Sequence, residues 1–551
     1  MKRIVFLIIA TLLVIGLVLP GCGGGGGRPD KIIIGVPYPF GDIQGTSMLA
    51  GAEMAAEEIN VAGVTVGATT YDIEIVGRND NEIVDSSNAW QAVDYLISTS
   101  GAQFIVGGFR TEAVIPMLGA VFATESPPVP FLITGAATAQ LLSGICLLGL
   151  CGPLTGEYPN GSGTPYYEND PTNSGFYKYI FRASPFNTGF LLGAVMGMFA
   201  QISQQIQAAT GWTYNATTHS WPYKLNVAIV GENLTWAQPI EAGLKGLLQS
   251  ALGGYFGWQW TTTETFGDQA SASEVAAALD NVEALENQLI LTVMSGPCGI
   301  TFGTQMGVRD IHAIPVGINV EAQSLNYYAN TEYATGQYGS ENEVTLGTYA
   351  EGVTTTAKTA QFITDYATFT GGAFPIYTSG SYDSVYAIAD AIAATNSLDN
   401  DVISDYLRAN SRVNTSFDSQ YYPKWDQVTH KLASGKDLPA QNMSVIDAIY
   451  AANGYDATFN FTMDPFTTND IVFGPGYATG IGIQWIDDAQ VAMWPKAGFD
   501  VPVNADVPIP VQTTLSRQLC GLNWSNTLTY TGILAAAIPA AYVTQWQTWN
   551  P

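Results

Sequence analysis

The chain has 551 residues, with 19 Lys and Arg against 47 Asp and Glu, giving a formal net charge of −28 at pH 7. That balance excludes extended contact with a phosphate backbone, which needs clustered basic side chains, while the length suffices for two domains with substantial cores. Charged residues make up only 12% of the chain, about half the usual ~25%, and Tyr, Thr, Ser and Asn supply much of the polarity, a composition suited to an extracytoplasmic surface.

Lys2 and Arg3 precede an uncharged apolar run, Ile4 to Leu19, that ends at Pro20-Gly21-Cys22. A basic start, an apolar middle and small residues before a cut site predict a secretory signal over residues 1–21. The run is shorter than the ~20 apolar residues that a spanning helix needs. Leu19-Pro20-Gly21-Cys22 resembles a bacterial lipobox, which implies that Cys22 becomes the lipidated first residue. Residues 22–30 are then a lipidated cysteine on a glycine-rich tether, flexible by composition.

From residue 31 strand and helix signals alternate. KIIIGVPYPF reads as a buried strand, and TSMLAGAEMAAEEIN as a helix with Met48, Ala52, Ala55 and Ile59 on one face. YDIEIVGRND predicts a strand, SSNAWQAVDYLISTS a helix with a Ser start signal, and AQFIVGGF, TEAVIPMLGAVFATES and PVPFLITGA three further elements. Strands separated by helical patterns of this length predict βαβ units on a parallel sheet. Residues 141–176, rich in Gly, Pro, Asn and Tyr, break the rhythm and read as an inserted loop. YKYIFRASP and the helix TGFLLGAVMGMFAQISQQIQAA resume it, GWTYNATTHSWPY reads as a second insertion, and KLNVAIVGE opens a second β/α series that continues through QLILTVMSG and AIPVGIN. A helix is expected around Ala357 to Thr368 and another in SYDSVYAIADAIAATN, with Tyr382, Val385, Tyr386 and Ala389 as its stripe. The C-terminal part turns to β, in ATFNFTMDPFTTND and ATGIGIQWIDDAQVAMWP. GILAAAIPAAYV is too short to span a membrane and contains Pro539, so it reads as a buried helix.

Four cysteines besides Cys22 permit two disulfides in an exported chain. Cys146 and Cys151 bracket a short loop and can pair locally, which leaves Cys298 with Cys520; buried free thiols are the alternative. The three histidines are scattered, and no HExxH, GxSxG or GxxxxGK[ST] pattern occurs. Metal hydrolases, serine hydrolases and P-loop enzymes are therefore disfavoured, and neither an enzymatic activity nor a cofactor is expected. Asp80 and Asp383, both near predicted strand or helix ends, could meet in a cleft.

The remaining chemistry is binding chemistry at strand ends, where open α/β sheets hold ligands against helix N-termini. In IVGGFRTEAVIP, Gly107 and Gly108 follow a strand and Thr111 opens a helix, so its hydroxyl suits a carboxylate or carbonyl; Arg110 beside it can pair with an anion. In LITGAATAQLL, Ala136 keeps the backbone accessible and Thr138 again opens a helix.

The order of these segments, with KLNVAIVGENLTWAQPIEAGLKGLL, SGSYDSVYAIADAI and the final FTTNDIVFG and GIQWIDDAQVAMWP, resembles the type I periplasmic-binding-protein family, in particular the branched-chain amino acid binding proteins of ABC importers. The resemblance covers most of residues 31–496. It implies an α/β fold of two Rossmann-like lobes with parallel sheets, joined by a three-crossing hinge and carrying insertions: residues 31–180 plus 352–455 as one lobe and 181–351 plus 456–551 as the other. It implies ligand contacts from Thr111, Ala136 and Thr138 in the first lobe, from an aromatic at Trp236, from a residue near Gln44, from Asn319 or Glu321 as partner of an ammonium, and from Tyr382 or Tyr377 near the hinge. The function implied is a lipid-anchored solute-binding protein that delivers a small polar ligand to an ABC permease, with a sensory module of the same fold as the alternative.

Overall fold

The structure, a computed structural model, describes residues 30–124, 128–138, 141, 179–183, 186–218, 220–353, 358–409, 425–426, 431–432 and 480–494. The signal segment, Cys22, most of the loop at 141–176, Cys146, Cys151 and Cys520 lie outside them.

β1 (Lys31–Tyr38) is near-continuously apolar because both of its faces are covered, with Ile32, Ile34 and Val36 fully buried. It pairs in parallel with β3 (Thr69–Asn79) and β4 (Phe104–Gly107), and α1 (Ile43–Asn60) packs its small-residue face on the sheet. A short β2 (Val64–Val66) turns back on β3 as an antiparallel hairpin. α2 (Trp90–Ser98) follows a single turn at Ser86–Asn88, and that turn is capped by Asp85, whose Oδ1 accepts from Ser87 N, rather than by a serine. α3 (Thr111–Thr124), β5 (Phe131–Ile133) and β6 (Ile180–Arg182) complete a six-stranded sheet of order β2-β3-β1-β4-β5-β6.

After β6 the chain crosses to a second sheet. α4 (Thr188–Thr210) packs there, followed by β7 (Leu225–Glu232), α5 (Ala237–Gln249), β8 (Trp258–Phe266), α6 (Ala272–Ala284), β9 (Leu289–Met294), α7 (Cys298–Val308), β10 (Ile314–Asn319) and β11 (Val344–Gly347). Ser271 and Glu274 cap α6 reciprocally, which fixes where it starts. The chain then returns to the first lobe with α8 (Thr359–Thr370), α9 (Ser381–Thr395) and α10 (Asn400–Ala409), and crosses a third time before β12 (Ile481–Ile486) and β13 (Ala489–Trp494). Asp487 and Asp488 join these two strands, both at positive φ, as a tight hairpin requires. The second sheet has the order β13-β12-β11-β10-β9-β7-β8, parallel except for β12, which runs antiparallel to both of its neighbours. Among the described residues no helix is long and apolar enough to cross a membrane.

The insertion before β7 folds on itself through a bridge between Asn215 and Ser220, and Trp221 Nε1 donates to Tyr255 O at 2.6 Å, pinning it to the second lobe. Beneath it Trp258 is enclosed between Phe256, stacked at 4.5 Å, and Phe199 at 4.9 Å. Trp258→Ala should therefore cost ~3–5 kcal/mol, read as a lower midpoint in chemical denaturation followed by circular dichroism.

Candidate functional site

The cleft face of the first lobe is made by the loops after β4 and β5. Gly107 and Gly108 have φ of 145° and 78°, conformations open to glycine, and a Cβ on Gly107 would lie 2.6 Å from Pro37 O. Gly135 nests against Phe109, where a Cβ would stand 2.6 Å from the Phe109 Cα. The two loops are thus held close enough for Thr111 Oγ1 and Thr138 Oγ1 to hydrogen-bond at 2.6 Å. Arg182, fully buried at the end of β6, donates through Nη1 to Ala137 O at 2.7 Å and through Nη2 to Thr138 O at 2.6 Å, which fixes the second loop.

On the second lobe the organiser is Glu232, the last residue of β7 and fully buried. Its Oε1 accepts from Ser295 N at 2.7 Å, Gly296 N at 2.6 Å and the Cys298 thiol at 3.1 Å, while Oε2 accepts from Ser295 Oγ at 2.7 Å and Trp236 Nε1 at 3.3 Å. This fixes Trp236 and Ser295 at the cleft. Cys298 is a free, buried thiol, pushed well above its ordinary pKa by burial and by Glu232.

Between the lobes lies a cavity whose empty space, including the part continuous with solvent, is about 460 Å³. One wall is aromatic, with Phe109, Phe186 and Tyr377 in ring contact at 5.5–6.3 Å. Trp236, Leu191, Ile318, Val320 and Leu346 complete the apolar lining, and Thr111, Arg110, Ser295 and Gln323 are its polar members. Among the described residues no carboxylate lines it.

Of the residues singled out from sequence, Thr111, Arg110 and Trp236 line this cavity, and Thr138 supports Thr111 from behind. Ala136 is buried, but its neighbours Gly135 and Ala137 provide the lining. Asn319 is turned away: its Nδ2 donates to Glu343 Oε1 at 2.7 Å and Tyr327 Oη at 2.9 Å, and Gly299 leaves room for it, since a Cβ there would sit 2.1 Å from Asn319 Oδ1. Glu321 accepts from Gln44 Nε2 at 3.3 Å, and the same Nε2 donates to Ser295 O at 2.6 Å, so Gln44 joins the lobes. Tyr382 donates to Glu58 Oε2 at 2.6 Å, inside the first lobe, whereas Tyr377 reaches the cavity. Tyr377 is set there because Thr378 Oγ1 and Ser381 Oγ donate to the carbonyls of Gln44 and Met48 on α1. Arg182 and Glu232 were missed by sequence reasoning; a lone buried arginine beside a strand end was the signal for the first, and nothing local marked the second.

Further contacts close the cleft. Arg110 Nη1 stands 2.8 Å from Asp268 Oδ2 of the second lobe, Thr235 N donates to Glu112 Oε1, and Tyr377 N donates to Gln323 Oε1 at 3.2 Å.

Two α/β lobes with this strand order, a chain that crosses between them repeatedly and a cavity at the facing strand ends define the type I periplasmic-binding-protein fold. Comparison with solved structures agrees. The branched-chain amino acid transporter substrate-binding protein LivJ of Streptococcus pneumoniae, in complex with isoleucine, matches with a TM-score of 0.53 at 15% identity, over 84% of this chain and 100% of that one. A solute-binding protein of an ABC transporter from Rhodopseudomonas palustris, in complex with 3,4-dihydroxybenzoic acid, matches at 0.53 and 14%, over 86% and 99%. The leucine-binding protein LivK of Thermotoga maritima matches at 0.52 and 12%, over 84% and 98%. No protein-family model matches the chain, and no curated protein matches it in sequence. The structural likenesses establish the fold.

The buried network around Asn319 carries a pH dependence. Burial pushes the Glu343 carboxyl up to about 7, against the hydrogen bonds from Tyr327 and Asn319 that favour its charged form. A group protonated in the folded chain up to about 7, but only to ~4.3 when unfolded, stabilises the fold fully below that lower value, and the contribution is lost as pH rises through about 7. The melting temperature should fall as pH rises from about 5 to 8, and Glu343→Gln should reduce that slope; differential scanning calorimetry across the range checks both.

Proposed function

We propose that this chain is an extracytoplasmic solute-binding protein of an ABC importer, which captures a small acid or amide with an apolar body and delivers it to a permease. The observation that carries the reading is the cavity itself. Apolar walls come from both lobes, and the polar groups converge from loops at strand ends.

Closure of the lobes encloses the apolar part of the ligand between Trp236, Phe186, Tyr377 and Leu346. The head group meets the Thr111 hydroxyl, the first amides of α3 and the Arg110 edge, donors whose dipole favours an anion. Only contacts made in the closed form favour closing, so the walls contributed by the second lobe supply the differential affinity. A zwitterionic amino acid fits less well, since a buried ammonium needs a countercharge. Glu321 is turned to Gln44 and Asn319 to Glu343. The lobes would be residues 31–180 plus 352–455 and 181–351 plus 456–551, with Cys22 as the lipid attachment. The relatives in complex with isoleucine and with 3,4-dihydroxybenzoic acid show that this fold accommodates both head-group chemistries.

A thermal-shift panel of matched pairs, 4-methylpentanoate against leucine and 3-phenylpropanoate against phenylalanine, with benzoate and the corresponding amides, tests the reading. Acids or amides are expected to raise the melting temperature more than the amino acids do. Thr111→Ala should weaken the best of them by ~1–2 kcal/mol, about 5- to 30-fold in Kd by calorimetry. A panel without any shift rejects solute capture.

A further inference from the structure

Arg110 reaches from the first lobe into a seam shared with the second. Besides Asp268 at 2.8 Å, its guanidinium stands 3.7 Å from Asp42 Oδ2 and 3.7 Å from Glu82 Oε1. Asp80 lies behind, its Oδ1 accepting from Glu82 N at 3.1 Å. From the second lobe Glu232 and the Cys298 thiol face the same place, Glu321 closes it beyond Gln44, and Tyr377 borders it from the segment before α9. Acceptors outnumber donors here: Asp42 Oδ2, Gln44 Oε1, Asp80 Oδ2 and Glu82 Oε1 are buried with no hydrogen-bond partner among the described residues, against Nε and Nη2 of Arg110 on the donor side. A carboxylate so placed is satisfied by a cation or by its own proton, and one arginine cannot neutralise all of them.

We propose that closing the cleft assembles a seam with more carboxylates than Arg110 can neutralise, so that closure takes up protons and the closed form gains as the medium acidifies. This rests on the solute-binding reading, in which the two lobes open and close. The groups that respond are those whose environment the opposite lobe completes. Asp42 is held above the usual carboxylate range by burial, against the pull of Arg110, with Asp268 and Glu232 of the second lobe adding to it. Glu321 is pushed up to about 7 by burial, against its bond from Gln44, with Asp42 of the first lobe and Glu232 adding to it. Separating the lobes removes the cross-lobe repulsion and much of the burial, which returns both groups toward ordinary values. The closed form therefore binds more protons, and the closed-to-open ratio rises as pH falls from about 7 toward ~4, by up to about tenfold per pH unit for each proton taken up.

Small-angle X-ray scattering of the ligand-free full chain from about pH 4 to 8, with circular dichroism alongside to show that the fold is intact, reads this directly. The radius of gyration should fall on acidification. Asp42→Asn with Glu321→Gln, neutral at every pH, should stay compact throughout; Glu321→Gln alone should shift the transition to higher pH. A wild-type curve that is flat or expands on acidification with unchanged dichroism overturns the proposal, as does a double variant that follows the wild-type curve. The wild-type curve decides even if the double variant fails to fold. A flat curve beside positive thermal shifts removes the proton coupling and leaves solute capture standing. A pH-dependent curve with no thermal shift does the reverse.

Discussion

The arrangement of the second lobe depends on one buried carboxylate. Glu232 sits at the end of β7 with no exposed surface, and it is tolerable there because five donors surround it. Each of those donors pays a second dividend in position. Trp236 is held as a wall, Ser295 and Gly296 are drawn into a tight turn, and the first turn of α7 is anchored to the neighbouring strand. The same bonds consume the amides that would otherwise receive an anion on this side. The lobes are therefore unlike in chemistry: the first brings the Thr111 hydroxyl, paired with Thr138, and the start of α3 to the cavity, and the second brings mainly apolar surface.

That asymmetry accounts for how the seam is built. The composition is poor in charge, yet several of the carboxylates it has are placed inside. Asp80 and Glu82 stand in the first lobe beside Arg110, and burial raises both, each further raised by a neighbouring carboxylate. Polar surface made from hydroxyls and amides does not change its charge with pH, whereas buried carboxyls do. The interior carboxyls whose protonation is raised by burial therefore add a response of their own, one that alters how the lobes fit together and not merely how the surface is solvated.

The alternation of strands and helices was legible because period and length identify an element without knowing its neighbours. Thr111 and the glycines before it were legible for a related reason: a strand end followed by glycines and a helix-opening hydroxyl is a local geometry. Which way a side chain turns at a strand end is not local. Asn319 and Glu321 are two residues apart, and the partners that orient them are Glu343 and Tyr327 for one and Gln44 for the other. Gln44 lies 277 positions away in the chain. Tyr382 and Tyr377 present the same difficulty, since the stripe on α9 correctly marks a buried face, and only α1, with Glu58, shows that this face belongs inside the lobe. Glu232 had no local signature because its five donors come from a turn and a helix start beyond the next two strands, and from a loop on its own side.

The strand order has a consequence for how the chain acquires its shape during synthesis. β11 contributes Leu346 to the cavity, and its outer edge pairs with β12, Gly347 opposite Ile481. Everything the first lobe receives after its second crossing is made between those two residues. While that stretch emerges, the second sheet stands with an unpaired, fully buried-type strand at its border, an edge that invites pairing with another chain. Closing so long a loop is also entropically slow. The strand that carries Leu346 into the cavity wall is thus the one whose free edge waits for this hairpin, and the edge stays open until the hairpin has been made.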